Sequence, residues 1–388
     1  MKKVYLDHSA TTKVRKEVVD LMTEYMLDKY GNPSSIHSFG REAKKAMEQA
    51  RERIAKILGC ETKEIYFTSG GTEADNLAII GCAFAYNKKG NHIITSAIEH
   101  HAVMDACKYL EKRGFNVTYL PVDENGIVGI ENFKQAIKPE TILATIMHVN
   151  NEVGTIQDIA KMGAIAKEKG VIFHTDAVQS FGKIPVNVQD LNVDMLSASS
   201  HKIYGPKGAG FLYVKKGIKM QSIVYGGAQE RKIRPGTENL PGIVGFGLAA
   251  ELAVQEMANE ANKLTHLRDT LIKGILEKIP HTRLNGHPVK RIPSNVNVSI
   301  EFIEGESLLL SLDMRGIAAS SGSACTSGSL DPSHVLLAMG LSHEAAHGSL
   351  RMTLGMENTE EDIQYVLEVL PEIVDRLRAM SPLYNKSK

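Results

Sequence analysis

The sequence predicts an α/β fold built on a mostly parallel sheet, with a smaller α+β portion toward the C-terminus. Three observations carry this reading. Seven short β-rich runs, at 65–68, 92–95, 117–120, 142–148, 171–175, 195–198 and 210–214, alternate with helical patterns, as βαβ units do. Several of these runs are apolar throughout, as expected for strands buried on both faces of a parallel sheet. From about residue 240 the pattern changes to a long helical stretch (240–280), a strand-like run (294–300) and helices near 307–314 and 359–379.

Residues 41–58 place Ala43, Ala46, Met47, Ala50, Ile54, Ile57 and Leu58 on one stripe, the spacing of a helix with a single buried face. In the closing helix, Thr359 and Asp362 fit a capping box. Ile363, Val366, Leu367, Leu370, Val374 and Leu377 form its stripe, and Pro371 is placed to kink it. Residues 385–388 read as a disordered tail.

A chain of 388 residues is long enough for two domains. Lysine plus arginine equals aspartate plus glutamate at 45 each, so no overall field favours nucleic acid or an anionic membrane. The N-terminus carries no apolar run of signal-peptide length, and no apolar stretch is long enough to span a bilayer. The cytoplasm is the expected compartment, and neither nucleic acid nor membrane is an expected partner. The four cysteines show no CxxC or zinc-type spacing. Cys82 and Cys107 lie in apolar helical patterns and read as small core residues; Cys60 follows Gly59 at a turn.

Four segments that directly follow strand-like runs carry candidate chemistry, and ligands of open α/β sheets collect at those carboxyl ends. The run Thr68-Ser-Gly-Gly-Thr-Glu-Ala-Asp75 joins glycines to a helix start, a phosphate-binding arrangement; it equally describes a plain capped turn. In Glu99-His-His-Ala-Val103, His100 suits stacking on an aromatic cofactor or moving protons near neutral pH. Asp176 ends an apolar strand, where a carboxylate can pair with a pyridinium nitrogen or simply cap a helix, and Gln179 follows one turn later. In Ser199-Ser-His-Lys202, an amine stands beside an imidazole and two hydroxyls. That grouping suits a lysine forming a Schiff base with a phosphate-bearing aldehyde, pyridoxal phosphate being the obvious one. Asn151 ends a further strand, and Arg351 is suited to clamp a carboxylate. Cys325 lies in a run of serine, glycine and alanine, 318–329, with almost nothing to bury. The run reads as a mobile exposed segment carrying either an inert thiol or a nucleophile on a swinging arm.

Together these segments resemble the cysteine desulfurases of the NifS/IscS type, within the fold-type I pyridoxal-phosphate enzymes (aspartate aminotransferase-like). The resemblance runs nearly end to end. It rests on Asp7-x-x-Ala-Thr-Thr, Gly31-Asn-Pro-Ser-Ser-x-His, Thr-Ser-Gly-x-Thr-Glu-Ala, Glu-His-x-Ala-Val, His-Val-Asn-Asn-Glu, Asp-Ala-Val-Gln, Ser-x-His-Lys-x-Tyr-Gly-Pro-Lys-Gly, Arg234-x-Gly-Thr and Ser-Ser-Gly-Ser-Ala-Cys325. The long Ser/Gly run around Cys325 is similar to the NifS/IscS subgroup rather than the SufS-like one. The chain departs from the usual family wording at His8-Ser9, at Gly70-Gly71 and at Met352-Thr353.

The resemblance implies a large cofactor domain over 15–259 and a small domain over 1–14 and 260–388 that carries Cys325 and Arg351. It implies Lys202 as the Schiff-base lysine and His100 as the stacked ring with an acid–base role. Asp176 and Gln179 become the partners of the pyridine nitrogen and ring hydroxyl. Gly71, Thr72, Ser199 and His201 become the phosphate cradle, with Thr237 reaching it across a homodimer interface. Asn151 contacts cofactor and substrate, Arg351 takes the substrate carboxylate, and Cys325 becomes a persulfide. That persulfide is also a candidate ligand for a metal, as part of an iron–sulfur cluster shared with a partner. The implied reaction turns L-cysteine into L-alanine, with sulfur passing to an iron–sulfur scaffold protein or another acceptor such as a tRNA-thiolation protein. The rivals are an aminotransferase or selenocysteine lyase on the same fold, and a sulfur-relay protein without catalysis.

Overall fold

The computed structural model describes residues 2–321, 332–382 and 384; Cys325 and the tail 385–388 lie outside the described residues. The central sheet has seven strands in the order Ile65–Thr68, Gly210–Val214, Met195–Ser199, Ile172–Asp176, Thr141–Thr145, His92–Ser96 and Asn116–Leu120. The pairings from Met195–Ser199 through Asn116–Leu120 are all parallel. Gly210–Val214 runs antiparallel to both of its neighbours. The fold is therefore α/β with a mostly parallel sheet, and its five inner strands are buried along their whole length.

Apolar runs report burial rather than ladder pairing, and this sets the one long misjudgement of a strand. The run expected at 142–148 ends as regular strand at Thr145. Beyond it, Ile146 N–H still donates to His174 O (3.2 Å) and His148 N–H to Asp176 O (2.9 Å), so the backbone stays buried and satisfied. Strand direction matters more for function. The chain steps outward from His92–Ser96 to Asn116–Leu120, then returns to Thr141–Thr145 on the other side. The reversal opens a crevice at the carboxyl ends of those strands.

The long helix Leu240–Lys278 spans two hydrophobic clusters. Its first half, through Ala253, packs with the helix Ser38–Leu58 and one face of the central sheet. Gly247 allows this approach, since a Cβ there would lie 2.8 Å from Ala50 Cα. Its second half, Leu264 to Ile275, packs instead with the antiparallel sheet Ser349–Thr353, Asn295–Ile300 and Thr282–Leu284 and with the closing helix Glu360–Met380. Val4 and Leu6 belong to this second cluster, because Val4–Tyr5 pairs in parallel with Ile317–Ala318. The closing helix has the expected Thr359–Asp362 capping box and continues through Pro371. Cys82 and Cys107 are buried in a third cluster, on the other face of the central sheet. Among the described residues no helix is long and apolar enough to cross a membrane.

One ion pair ties the helix Ser38–Leu58 to the segment after the last sheet strand. Arg51 donates to both oxygens of Glu230 (2.9 and 2.7 Å), and each side chain is only 2% exposed. Phe67 N–H also donates to Glu230 (2.9 Å). Removing Glu230 leaves the buried Arg51 with only the partly exposed Glu48 at 3.3 Å and takes the acceptor from Phe67 N–H, so Glu230→Ala is expected to lower stability by about 3–5 kcal/mol. The joint replacement Arg51→Met with Glu230→Leu should recover much of that loss. Urea unfolding of the two variants beside the parent checks both values.

Candidate active site

The carboxyl ends of four strands, the first turn of a helix and the N-terminal segment enclose a cavity of about 250 Å3. It is lined by Gly71, Thr72, His100, Asn151, Asp176, Gln179, Ser199, His201, Lys202 and Arg351, each of which the sequence analysis had singled out. Ser9, Ala10, Asp75, Met147 and Val178 complete the wall. Thr237 does not line the cavity and is exposed on this chain. Its segment is nonetheless held near the helix start, because Arg234 pairs with Glu73 at 2.7 Å.

Lys202 closes a short 3-10 turn, Ser200–Lys202, that follows directly on the strand Met195–Ser199. Its Nζ donates to Ser9 O (2.5 Å) and Ala10 O (2.7 Å). Gln179 Nε2 donates to the same Ser9 carbonyl (3.0 Å). Arg351 lies on the other sheet; Nη2 pairs with Asp7 (3.0 Å) and Nη1 donates to Asn151 O (3.1 Å). Arg351 Nε is buried and has no hydrogen-bond partner among the described residues, a polar group left unsatisfied inside the protein.

The anion end of the cavity is backbone-rich. The helix Gly71–Tyr86 begins here, so its unpaired N–H groups and positive dipole end face the space. Gly71 has no room for a side chain, as a Cβ would lie 2.6 Å from Val178 Cγ2. Ser199 adds a buried hydroxyl, and His201 Nδ1 lies 3.2 Å from Thr11 Oγ1.

The opposite end is acidic and dry. Burial pushes Asp176 up to about 6, against the pull of Val178 N–H and of the Lys202 charge. Its Oδ1 accepts that N–H at 2.8 Å, so this carboxylate both caps the following turn and lines the cavity. Asp75 is buried nearby, and burial followed by the Asp176 charge raises it well above its ordinary value. Two buried carboxylates do not ionise together easily. Asp176 has the cation and the N–H donor, so it is the member that ionises first.

His100 caps the helix His101–Glu111, its Nδ1 accepting Ala102 N–H at 3.1 Å. Burial, then the charges of Lys202, His101 and His334, lower it to about 4. The ring is thus neutral with its proton on Nε2. The rings of His101 and His334 lie 5.1 Å apart beside it.

Sequence reasoning passed over three contributors. Asp7 and Asp75 sit inside motifs already noted, but nothing in their spacing says that one meets Arg351 and the other Asp176. The backbone carbonyls of Ser9 and Ala10 leave no sequence signal.

A family model for aminotransferase class-V matches residues 4–366. A cysteine desulfurase IscS of Methanosarcina thermophila is 58% identical over 385 residues, 99% of this chain and 95% of that protein. A cysteine desulfurase IscS of Clostridium botulinum is 57% identical over 386 residues, 99% of this chain and 97% of that protein. Among solved structures, a NifS-like protein superposes with a TM-score of 0.91 at 40% identity, covering 97% of this chain and all of that one (100%). A protein named SspA, solved in complex with cysteine, gives 0.82 at 39% identity over 91% of this chain and 99% of that one. The chain belongs to the aminotransferase class-V family, within its cysteine desulfurases. Pyridoxal phosphate is the cofactor of that family.

Behind the cavity, His174 bridges three strands. Its Nδ1 meets Thr145 Oγ1 (2.8 Å) and its Nε2 meets Ser197 Oγ (2.9 Å). Burial lowers His174 to about 3. The unfolded chain protonates this ring near its ordinary value of about 6.5, and the folded chain does not. The stability that His174 contributes is therefore complete above about pH 6.5 and is lost as pH falls toward about 3, with a slope of about 1.4 kcal/mol per pH unit. His174→Asn should flatten the acid limb of stability by that slope, as measured by urea unfolding between about pH 6 and pH 4.5.

Proposed function

We propose that this protein is a pyridoxal-phosphate-dependent cysteine desulfurase that converts L-cysteine to L-alanine and retains the sulfur as a persulfide on Cys325. One observation carries the reading. An amine, a buried carboxylate, a neutral imidazole, a helix start with hydroxyls and a guanidinium converge on a single cavity.

The side chains present fit the cofactor. Gly71, Thr72, Ser199 and His201 suit its phosphate, with Thr237 of a second copy completing the cradle. Asp176 suits a protonated ring nitrogen, Gln179 the ring hydroxyl, and Lys202 the aldehyde. When bound, the cofactor supplies an electron sink conjugated to the amino acid. Arg351, held by Asp7 and Asn151, then takes the substrate carboxylate. Lys202 carries the proton removed from Cα, and it must be unprotonated to accept it. His100, neutral with a proton on Nε2, is placed to donate or accept at the substrate.

The Cys325 thiolate attacks the sulfur of the substrate. The S–S bond forms as the Cβ–S bond breaks, the electron pair of the broken bond leaves with carbon, and protonation there completes alanine. The chain runs past this site at both ends of the stretch that carries Cys325. Ser320 exchanges backbone hydrogen bonds with Arg351 (2.7 and 3.1 Å), and Ser333 Oγ donates to Glu152 (2.5 Å), next to Asn151. Cys325 is five residues past Ser320, a reach of at most about 18 Å.

We further propose a homodimer, an iron–sulfur scaffold protein or similar sulfur acceptor as partner, and a cytoplasmic setting. Exposed Met26, Leu27, Tyr30, Ile36, Phe39 and Tyr225 support an apolar contact with another chain.

Alanine and sulfide release from L-cysteine, measured with a reductant, tests the reaction. Cys325→Ala should lose at least about 100-fold of the rate while keeping the visible absorbance of bound cofactor. A keto acid in place of alanine would turn the assignment to an aminotransferase. Arg351→Met should raise KM for L-cysteine by about 100-fold, as steady-state kinetics would show.

A further inference from the structure

Lys183 is a half-buried lysine that the reaction above leaves without a task. It follows Gly182, whose φ of +74° bends the chain back on itself, and lies one turn beyond Gln179. Its Nζ donates to Gln179 Oε1 at 3.2 Å. With Gln179 Nε2 bound to Ser9 O, both ends of that amide are held, so its orientation toward the cavity is set.

Lys183 also lines a second, small cleft together with Lys202. This space measures about 20 Å3 and is lined by His8, Lys183, Lys202, Tyr204 and Glu260 among others. It has room for about one water, so little solvent stands between the groups that line it. The charged and titratable groups that face Lys183 come from several elements. Lys202 and Arg351 repel its charge, and Glu260 on the long helix attracts it. Glu260 also accepts the Tyr204 hydroxyl at 2.6 Å. His8 and His201 feel the Lys183 charge, and both are lowered to about 4 with burial as the main cause, so they add no positive charge near neutral pH. Lys183 is thus attracted by Glu260 and repelled by Lys202, while Lys202 in turn faces Asp176.

We propose that Lys183 is a positioning residue for this reaction: it fixes the Gln179 amide and, as a second amine lining the same cleft as Lys202, favours the unprotonated form of the reacting amine by charge repulsion. The inference rests on the reading of Lys202 as the reacting amine. Burial and then the Lys202 charge bring Lys183 itself down to about 7, and the repulsion between two sites acts on each of them. A lysine beside another cation is a known way to obtain a reactive amine at neutral pH.

The test compares Lys183→Met, which removes the charge, with Lys183→Arg, which keeps it. In the holoenzyme, the visible absorbance of the bound cofactor is titrated with pH. In full-length protein stripped of cofactor, acylation of the Lys202 peptide is followed against pH by mass spectrometry. Lys183→Met should raise the apparent pKa in both titrations by about one unit, and the kcat/KM profile should move to higher pH by the same amount. Lys183→Arg, charged throughout this range, should hold both titrations at or below the parent values. A Lys183→Met protein that melts like the parent but leaves both titrations unmoved overturns the proposal, even if cofactor affinity falls, since a merely structural role would lower affinity alone. If Lys183→Met does not fold, Lys183→Gln serves in its place. Borohydride fixation of cofactor to Lys202 in the parent tests the underlying reading separately. If that fails, the acylation titration still decides the relation between the two amines.

Discussion

The site depends on one crossing of the chain. Residues 7–10 leave the second hydrophobic cluster, where Val4 and Leu6 are buried, and run across the carboxyl ends of the central sheet. In doing so they bind groups from both sides. Ser9 and Ala10 present carbonyls to Lys202, Ser9 takes Gln179 as well, and Asp7 pairs with Arg351 on the other sheet. Ser9 N–H in turn donates to Thr353 Oγ1 (2.8 Å), two residues from Arg351. The amine and the guanidinium come from different sheets, and this short segment holds them in one frame. It is itself held at its start by pairing with Ile317–Ala318, which leads into Ser320 and the stretch that carries Cys325.

Around that frame, burial rather than charge pairing sets the protonation states. The imidazoles of His8, His100, His148, His174 and His201 are all held neutral, with burial as the largest cause in each. Burial also drives Glu99 to about 8 and Glu152 to about 7. The result is a site with few fixed charges, in which Lys202, Arg351 and Asp176 are felt strongly because water does not screen them. Such an interior favours chemistry in which a proton moves between groups of similar affinity. It also makes neighbours of the reacting amine, Lys183 above all, matter more than they would at a surface.

The fold was legible for a plain physical reason. Strands buried on both faces must be apolar throughout, and the helices between them must show one stripe. The runs ending at Asp176 and Ser199 therefore stood out, and with them the positions just beyond. The limits came where burial and pairing part company, as at 146–148, where the chain stays apolar after the regular strand has ended. The site was legible wherever a motif carries its own local geometry. Thr68 to Asp75 reads as a strand, a glycine turn and a helix start; Ser199 to Lys202 reads as a strand end and a tight turn.

By itself, the sequence determined the α/β class, ten of the positions that line the cavity and the family to which the chain belongs. These follow from local periodicity and from residue types at fixed short spacings, which need no knowledge of distant contacts. Only the tertiary structure decided that Asp7 meets Arg351, that Asp75 and Asp176 line one cavity, and that Lys183 and Lys202 line one small cleft. Each of those contacts joins segments at separations that no local pattern encodes. Each gains its strength from the low dielectric of a packed interior, which exists only once the chain has folded.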